Sequence, residues 1–266
     1  MYLQDKVVLI TGSTTGIGEA TARLAVTQGA QVMIHGRNEE AAQALCRELG
    51  DAAAYVIGDL IDPAVCVKIV QATVARFGRI DGLVNNAALT TRSTLETTDA
   101  AMFDRIVGIN LRAPLLIIRE AVNAFRYQAS QGHPGGAIVN IGSINALSGA
   151  PNLLAYSAAK GGLMTATQNL ANALATEKIR VNQLNVGWVT SRNEIALKIS
   201  EGLPVGWENN VPAAYAPTGR LLTPEQVAQH VVFWVSDASA PVNGAVYVVE
   251  QYSPIGRNNA KTSFDD

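Results

Sequence analysis

Cysteine is scarce: the 266 residues hold two, Cys46 and Cys66, with no CxxC spacing and no histidine cluster beside them. That argues against a disulfide framework and a zinc site, and it fits a reducing cytosol. Long apolar runs are also missing. Near the N-terminus the only one is Val7 to Ile10, too short for a signal-peptide core, and no later stretch approaches the ~20 residues needed to span a bilayer. Charge is sparse and balanced, with 16% charged residues and a formal net charge of -2, so no basic field is offered to nucleic acid. What is abundant is hydrophobic side chain, at 48%, enough for a large core. The expectation is a cytoplasmic protein that handles a small molecule and has no nucleic-acid or membrane partner.

Short β-branched runs alternate with longer amphipathic stretches. Strands are predicted at 7–11, 31–36, 53–58, 82–85, 137–141, 180–186 and 245–249, and helices at 16–28, 38–49, 63–77, within 99–129, at 154–176 and at 223–235. This alternation predicts an α/β fold: a doubly wound (Rossmann) seven-stranded parallel sheet with helices on both faces, residues 1–255 forming a single domain. Between 190 and 220 the periodicity weakens, and Gly202, Pro204, Gly206, Pro212 and Pro217 interrupt it. That excursion is expected to be a substrate lid. The polar tail 256–266 has too little apolar content to fold alone.

Directly after the first strand stands Thr11-Gly12-Ser13-Thr14-Thr15-Gly16-Ile17-Gly18, where strand should hand over to helix. Glycines spaced GxxxGxG permit a tight turn and let backbone approach a pyrophosphate, whose charge is favoured at a helix N-terminus. An ordinary glycine-rich turn would look similar in isolation. At the end of the second strand, a carboxylate would bind the adenosine ribose of NAD and repel a 2′-phosphate, but His35, Gly36 and Arg37 stand there. Arg37 can pair with that phosphate, which favours NADP(H) over NAD(H). Asp59 and Leu60, after the third strand, are placed to flank the adenine, or Asp59 caps a turn.

Tyr156 and Lys160 stand four apart on a predicted helix, so both side chains share one face. Proton transfer by tyrosine near neutrality needs its pKa lowered by roughly 2 to 3 units, and a neighbouring ammonium supplies much of that. The same pair also arises by chance as a surface helix contact. Ser143, just past the strand at 137–141, lies at the ligand-binding end of a parallel sheet and can hold a substrate oxygen. Asn85, Asn86 and Asn110 are amides near strand and helix ends, where backbone capping is the ordinary use. The three histidines, His35, His133 and His230, share no spacing, and surface or helix positions are expected for them.

In this order the residues resemble the short-chain dehydrogenase/reductase family along nearly the whole chain. Thr11, Gly12, Gly16 and Gly18 match its TGxxxGxG motif, Asn85 to Ala87 its NNA motif, and Asn110, Ser143, Tyr156 and Lys160 its Asn-Ser-Tyr-Lys tetrad. The resemblance implies that Tyr156 is general acid in reduction and base in oxidation. It implies that Lys160 binds the nicotinamide ribose, Ser143 polarises the carbonyl and Asn110 holds a relay water. The cofactor set it implies is Gly12, Thr14, Thr15, Gly16, Ile17, Gly18, Arg37, Asp59, Leu60, Asn86, Ala87, Tyr156, Lys160, Gly187, Val189 and Thr190, with a homotetramer as the assembly. Two departures stand out: Val186-Gly187 replaces a Pro-Gly turn, and Glu250-Gln251-Tyr252 replaces an Asp-Gly-Gly end.

The predicted pocket wall holds Asn145, Leu147, Trp188, Asn193, Trp207, Glu208 and Tyr252. Ser143, Asn145, Tyr156, Trp188, Asn193 and Trp207 are the candidate substrate contacts. Aromatic faces beside hydrogen-bonding groups suit a sugar or cyclitol, unless the tryptophans simply pack the lid. A 3-oxoacyl-thioester reductase is a second reading, and a non-catalytic dinucleotide sensor a third.

Overall fold

A strand covered on both faces must be apolar at every position, and Val7-Val8-Leu9-Ile10 is buried throughout. This strand, β1 (Val7–Ile10), sits inside a seven-stranded parallel sheet with β2 (Gln31–Gly36), β3 (Ala53–Ile57), β4 (Gly82–Asn85), β5 (Gly136–Ser143), β6 (Ile179–Val186) and β7 (Val246–Val249). The molecule is described by a computed structural model covering residues 1–253; the tail at 256–266 lies outside the described residues. Strand order is β3-β2-β1-β4-β5-β6-β7. The chain therefore runs outward from β1 to β3, returns to the other side of β1 with β4, and leaves a crevice at the carboxyl ends of β1 and β4.

Alternate residues of each strand feed two cores. Val8, Ile10, Val32, Ile34, Val84 and Val139 pack on one face with Ala22 and Ala25 of α1 (Gly16–Thr27), Ala42 and Leu45 of α2 (Glu39–Leu49), and Val227, Val231 and Val232 of α9 (Pro224–Val235). Leu9, Met33, Leu83, Ile138 and Val181 turn to the other face. There they meet Ile69 of α3 (Pro63–Phe77), Ile117 and Phe125 of α5 (Ala113–Ser130) and Leu174 of α7 (Leu154–Leu174). Caps set several boundaries: Asp62 accepts from Ala64 ahead of α3, and Thr223 and Gln226 form a reciprocal capping box at α9.

Three stretches differ from the periodicity. Strand β5 runs two residues past its predicted end, so Ser143 is its last residue rather than the start of a loop. The helical stretch 99–129 is α4 (Ala100–Val107), a π-helical turn Gly108–Arg112, and α5. Pro114 has no N–H to give the carbonyl of Asn110 four residues back, and the Ala113 N–H bonds the Gly108 carbonyl five residues back instead. The excursion at 190–220 holds a nine-residue helix, α8 (Arg192–Ser200), which was not predicted. None of its residues is fully buried, so its apolar pattern is weak. Its signal is the Ser191-x-x-Glu194 pattern, with the Ser191 hydroxyl accepting the Glu194 N–H at 3.2 Å. A bridge between Val189 and Leu222 closes the two ends of the excursion. The short α6 (Asn145–Ser148) follows β5. No helix among the described residues is long and apolar enough to cross a membrane.

Candidate active site

The loops after β1 and β4 are stitched together. The Thr11 hydroxyl accepts the N–H groups of Asn86 (2.9 Å) and Ala87 (3.0 Å), and the Asn86 amide donates to the carbonyls of Thr11 (2.9 Å) and Gly12 (3.0 Å). Gly12 has φ +63°, and a Cβ there would stand 2.8 Å from the Ala87 Cα. Gly16 also has a left-handed φ, +58°. Only glycine fits such backbone so close to its neighbour. At Gly18 a Cβ would collide with the Gly12 carbonyl and the Asn86 amide, so this glycine closes the packing under the loop and does not line the cavity. Helix α1 starts at Gly16 with no side-chain cap, and Gly16 and Ile17 line the cavity in front of it. An uncapped N-terminus behind a glycine turn, with backbone laid where a Cβ would not fit, suits the pyrophosphate of a dinucleotide.

That cavity, about 1270 Å³, runs from the glycine loop past Arg37, Asp59 and Leu60 to Ser143, Tyr156 and Lys160. Arg37 is largely exposed, its guanidinium 3.9 Å from Asp59, and Arg105 reaches the same carboxylate at 3.7 Å. Asp59 also caps its own turn by accepting the Ile61 N–H at 3.1 Å. His35 was expected on a surface or helix. It is instead buried on β2, where its Nδ1 accepts the Gly12 N–H at 3.4 Å and its Nε2 donates to the Gly58 carbonyl at 3.2 Å. Burial pushes its pKa down to about 4, against smaller opposing effects from the Gly58 hydrogen bond and the Asp59 charge. A neutral ring with its proton on Nε2 thus ties the cofactor loop to the loop after β3.

At the other end, Ser143, Tyr156 and Lys160 are all buried and share the cavity wall. Lys160 Nζ donates to the Ile141 carbonyl at 2.6 Å and lies 5.7 Å from the Tyr156 ring centre. Burial alone pushes the lysine down to about 8. The tyrosine was expected to be acidified by that ammonium. Burial instead pushes it up to about 12, a hydrogen bond with Ser143 opposes the shift, and the charge of Glu194 adds to it. The protein's own environment therefore keeps the phenol protonated, a proton donor rather than a phenolate.

Several predicted residues take other places. The Asn110 side chain does not reach the cavity: its amide donates to the carbonyls of Leu89 and Ile106, both at 2.9 Å, and accepts the Leu89 N–H at 3.2 Å. Thr190 turns away to donate to the Leu222 carbonyl at 3.1 Å, and its neighbour Ser191 lines the cavity. Asn193 donates to the Thr15 hydroxyl at 3.2 Å, which places it over the cofactor loop. Trp188 and Trp207 line the cavity but stack on each other, centres 5.2 Å apart, and Tyr215 meets Trp188 edge-on. Much of their apolar surface therefore packs the excursion. Leu147 and Glu208 are outside the cavity lining, whereas Asn145 and Tyr252 belong to it. The two sequence departures meet one another: the Glu250 carboxylate occupies the space over Gly187 and accepts the N–H groups of Trp188 (3.1 Å) and Gln251 (2.7 Å).

The lining residues that were missed include Ser191, Glu194 and Arg92. The capping pattern Ser191-x-x-Glu194 marked the first two, and nothing local marks Arg92. Asn85 is structural, donating to Asn140 at 2.9 Å in the buried sheet.

A family model described as enoyl-(acyl carrier protein) reductase matches residues 12–251. The chain is 35% identical over 261 residues to short chain dehydrogenase adrF of Penicillium rubens, covering 93% of this chain and 96% of that protein. It is 35% identical over 250 residues to cis-4-hydroxycyclohexanecarboxylate dehydrogenase of Sinomonas cyclohexanicum, covering 92% and 95%. The crystal structure of a 3-ketoacyl-(acyl-carrier-protein) reductase from Brucella melitensis complexed with NADH matches with a TM-score of 0.81 at 33% identity, covering 93% of this chain and 97% of that one. With the glycine turn, the crevice beside β1 and the Ser143, Tyr156 and Lys160 wall in one cavity, the chain belongs to the short-chain dehydrogenase/reductase family and is an NAD(P)-dependent oxidoreductase acting on CH–OH groups.

Proposed function

We propose that the protein interconverts a ketone and a secondary alcohol on a polar, ring-shaped substrate of the sugar or cyclitol class, with NADP(H) as the preferred cofactor. The carrying observation is the convergence of Ser143, Tyr156 and Lys160 on a cavity that continues to the uncapped start of α1. When bound, the cofactor supplies or accepts the hydride. Tyr156, held protonated by burial, gives its proton to the carbonyl oxygen in reduction and takes it back in oxidation. Ser143 orients that oxygen, and Lys160, fixed by the Ile141 carbonyl, holds positive charge at the floor of the site. Thr14, Thr15, Ala87, Gly187 and Val189 form the remaining cofactor wall. The carbonyl of Asn110, left without its helical donor by Pro114, is the group that would hold a relay water.

Arg37 beside the ribose end, and the absence of an acid at the end of β2, support NADP(H), although the Brucella structure contains NADH. The excursion at 190–220 serves as the substrate lid, its amides and carboxylate at the cavity supporting a hydroxylated substrate. Similarity to a dehydrogenase of a ring alcohol points the same way. A 3-oxoacyl thioester is the second reading, favoured by the Brucella reductase. The decisive experiment is Tyr156→Phe. Nicotinamide absorbance change with polyols and cyclic ketones should fall at least about 1000-fold while cofactor binding persists; undiminished turnover would refute the assignment. Acetoacetyl-thioester turnover above that of the cyclic ketones would favour the second reading. Phe103, Tyr127 and Leu154 remain exposed on α4, α5 and α7, which supports a homotetramer, and light scattering showing a monomer would refute it. Two free cysteines suit a reducing cytosol.

A further inference from the structure

Glu194 opens the first turn of α8, where a glutamate ordinarily turns back to bond the capping residue's N–H. Here that N–H, of Ser191, goes to the Val189 carbonyl at 2.9 Å. The freed carboxylate faces the cavity, its Oε1 accepting the Trp188 indole N–H at 2.8 Å. Among the described residues, its Oε2 makes no hydrogen bond. Two cations of the same cavity wall are bonded to another carboxylate, although the charges of Glu194 and Arg92 still act on each other. Arg92 bonds Glu201 through Nε at 2.6 Å and through a second nitrogen at 3.2 Å, and Lys198 bonds the same carboxylate at 2.7 Å. Trp188, which holds Glu194, itself contacts both the stacked Trp207 ring and the Lys198 ammonium, the latter 5.6 Å from its centre. The result is a braced carboxylate, close enough to Tyr156 for its charge to act on the phenol.

We propose that Glu194 determines specificity at the substrate end, accepting a hydroxyl or ammonium donor from the substrate's second polar group and excluding substrates that carry a carboxylate there. The inference rests on the reading of the cavity as an alcohol and ketone site. It separates this chain from its relative whose named substrate is a ring carboxylate. A donor reaching Oε2 displaces no protein partner, whereas an incoming carboxylate meets like charge and finds Arg92 and Lys198 already bound to Glu201.

The test measures dissociation constants of three matched ketones with the cofactor-bound full chain, read by tryptophan fluorescence: cyclohexanone, 4-hydroxycyclohexanone and 4-oxocyclohexanecarboxylate. The wild type should bind the hydroxylated ketone at least about 10-fold more tightly than the carboxylate. Glu194→Gln should shrink that ratio by about 10-fold, and Glu194→Asp, which keeps the charge, should retain exclusion of the carboxylate. Phenolate absorbance of the cofactor-free chain should appear at lower pH in Glu194→Gln than in the wild type, a shift that a packing role would not cause. Preference for the carboxylate, failure of all three ketones to bind, or the same ratio in Glu194→Gln as in the wild type would overturn the inference. Failure of the catalytic reading looks different: Tyr156→Phe would then keep full turnover, whatever the binding order.

Discussion

Replacing His35 with leucine would strip two partners at once, the Gly12 N–H of the cofactor loop and the Gly58 carbonyl. Leaving two half-buried polar groups without their partner costs about 2 to 4 kcal/mol at about pH 7.5. The wild-type ring adds a pH dependence that the variant lacks. Its pKa is about 4 in the fold and 6.5 in the unfolded chain, so between those values the unfolded chain binds more protons and stability rises with pH. His35's contribution is complete above about pH 6.5 and is lost as pH falls toward 4. At about pH 4.5 the wild type has given up about 2.5 kcal/mol through this one group. Urea unfolding of both proteins, followed by tryptophan fluorescence, should show a gap at about pH 7.5 that closes by about 2.5 kcal/mol at about pH 4.5. Taking the difference cancels His230 and the carboxylates, which titrate in both proteins. A gap that stays constant across this range would refute the account of His35 as a buried neutral tie.

Lys160→Met should abolish turnover yet stabilise the cofactor-free protein by about 1 to 2 kcal/mol at neutral pH, because a lysine held at about 8 by burial opposes folding by about 3 kcal/mol wherever it is charged in both states, offset by the lost Ile141 hydrogen bond. The gain should fade toward about pH 10, where the unfolded lysine also loses its proton; a less stable variant in urea at about pH 7 would contradict it. Arg37→Ala should raise the KM for NADPH about 10- to 100-fold and change that for NADH less than about 3-fold. Initial rates at varied cofactor concentration check this, and an unchanged NADPH to NADH ratio would remove Arg37 from phosphate recognition.

Element identity was legible along the chain because it is local. The continuous apolar run at 7–10, the Leu83-Val84 pair within 82–85, and helical spacing at 63–77 each reflect a few neighbouring side chains. So were the glycine turn after β1 and the four-residue interval that puts Tyr156 and Lys160 on one face of α7. Tertiary structure decided which distant groups meet. His35 looks like any strand residue until β3 closes beside β2 and the Gly58 carbonyl arrives at its ring. Asn110 loses its side chain to Leu89 and Ile106, and Thr190 loses its hydroxyl to Leu222, thirty-two residues onward. Glu194 is a capping residue by spacing and a cavity carboxylate only because Val189 takes the Ser191 N–H and Trp188 supplies an indole. The same holds for proton affinity: spacing places an ammonium near a phenol, but burial, a property of the whole packed site, sets which of them keeps its proton.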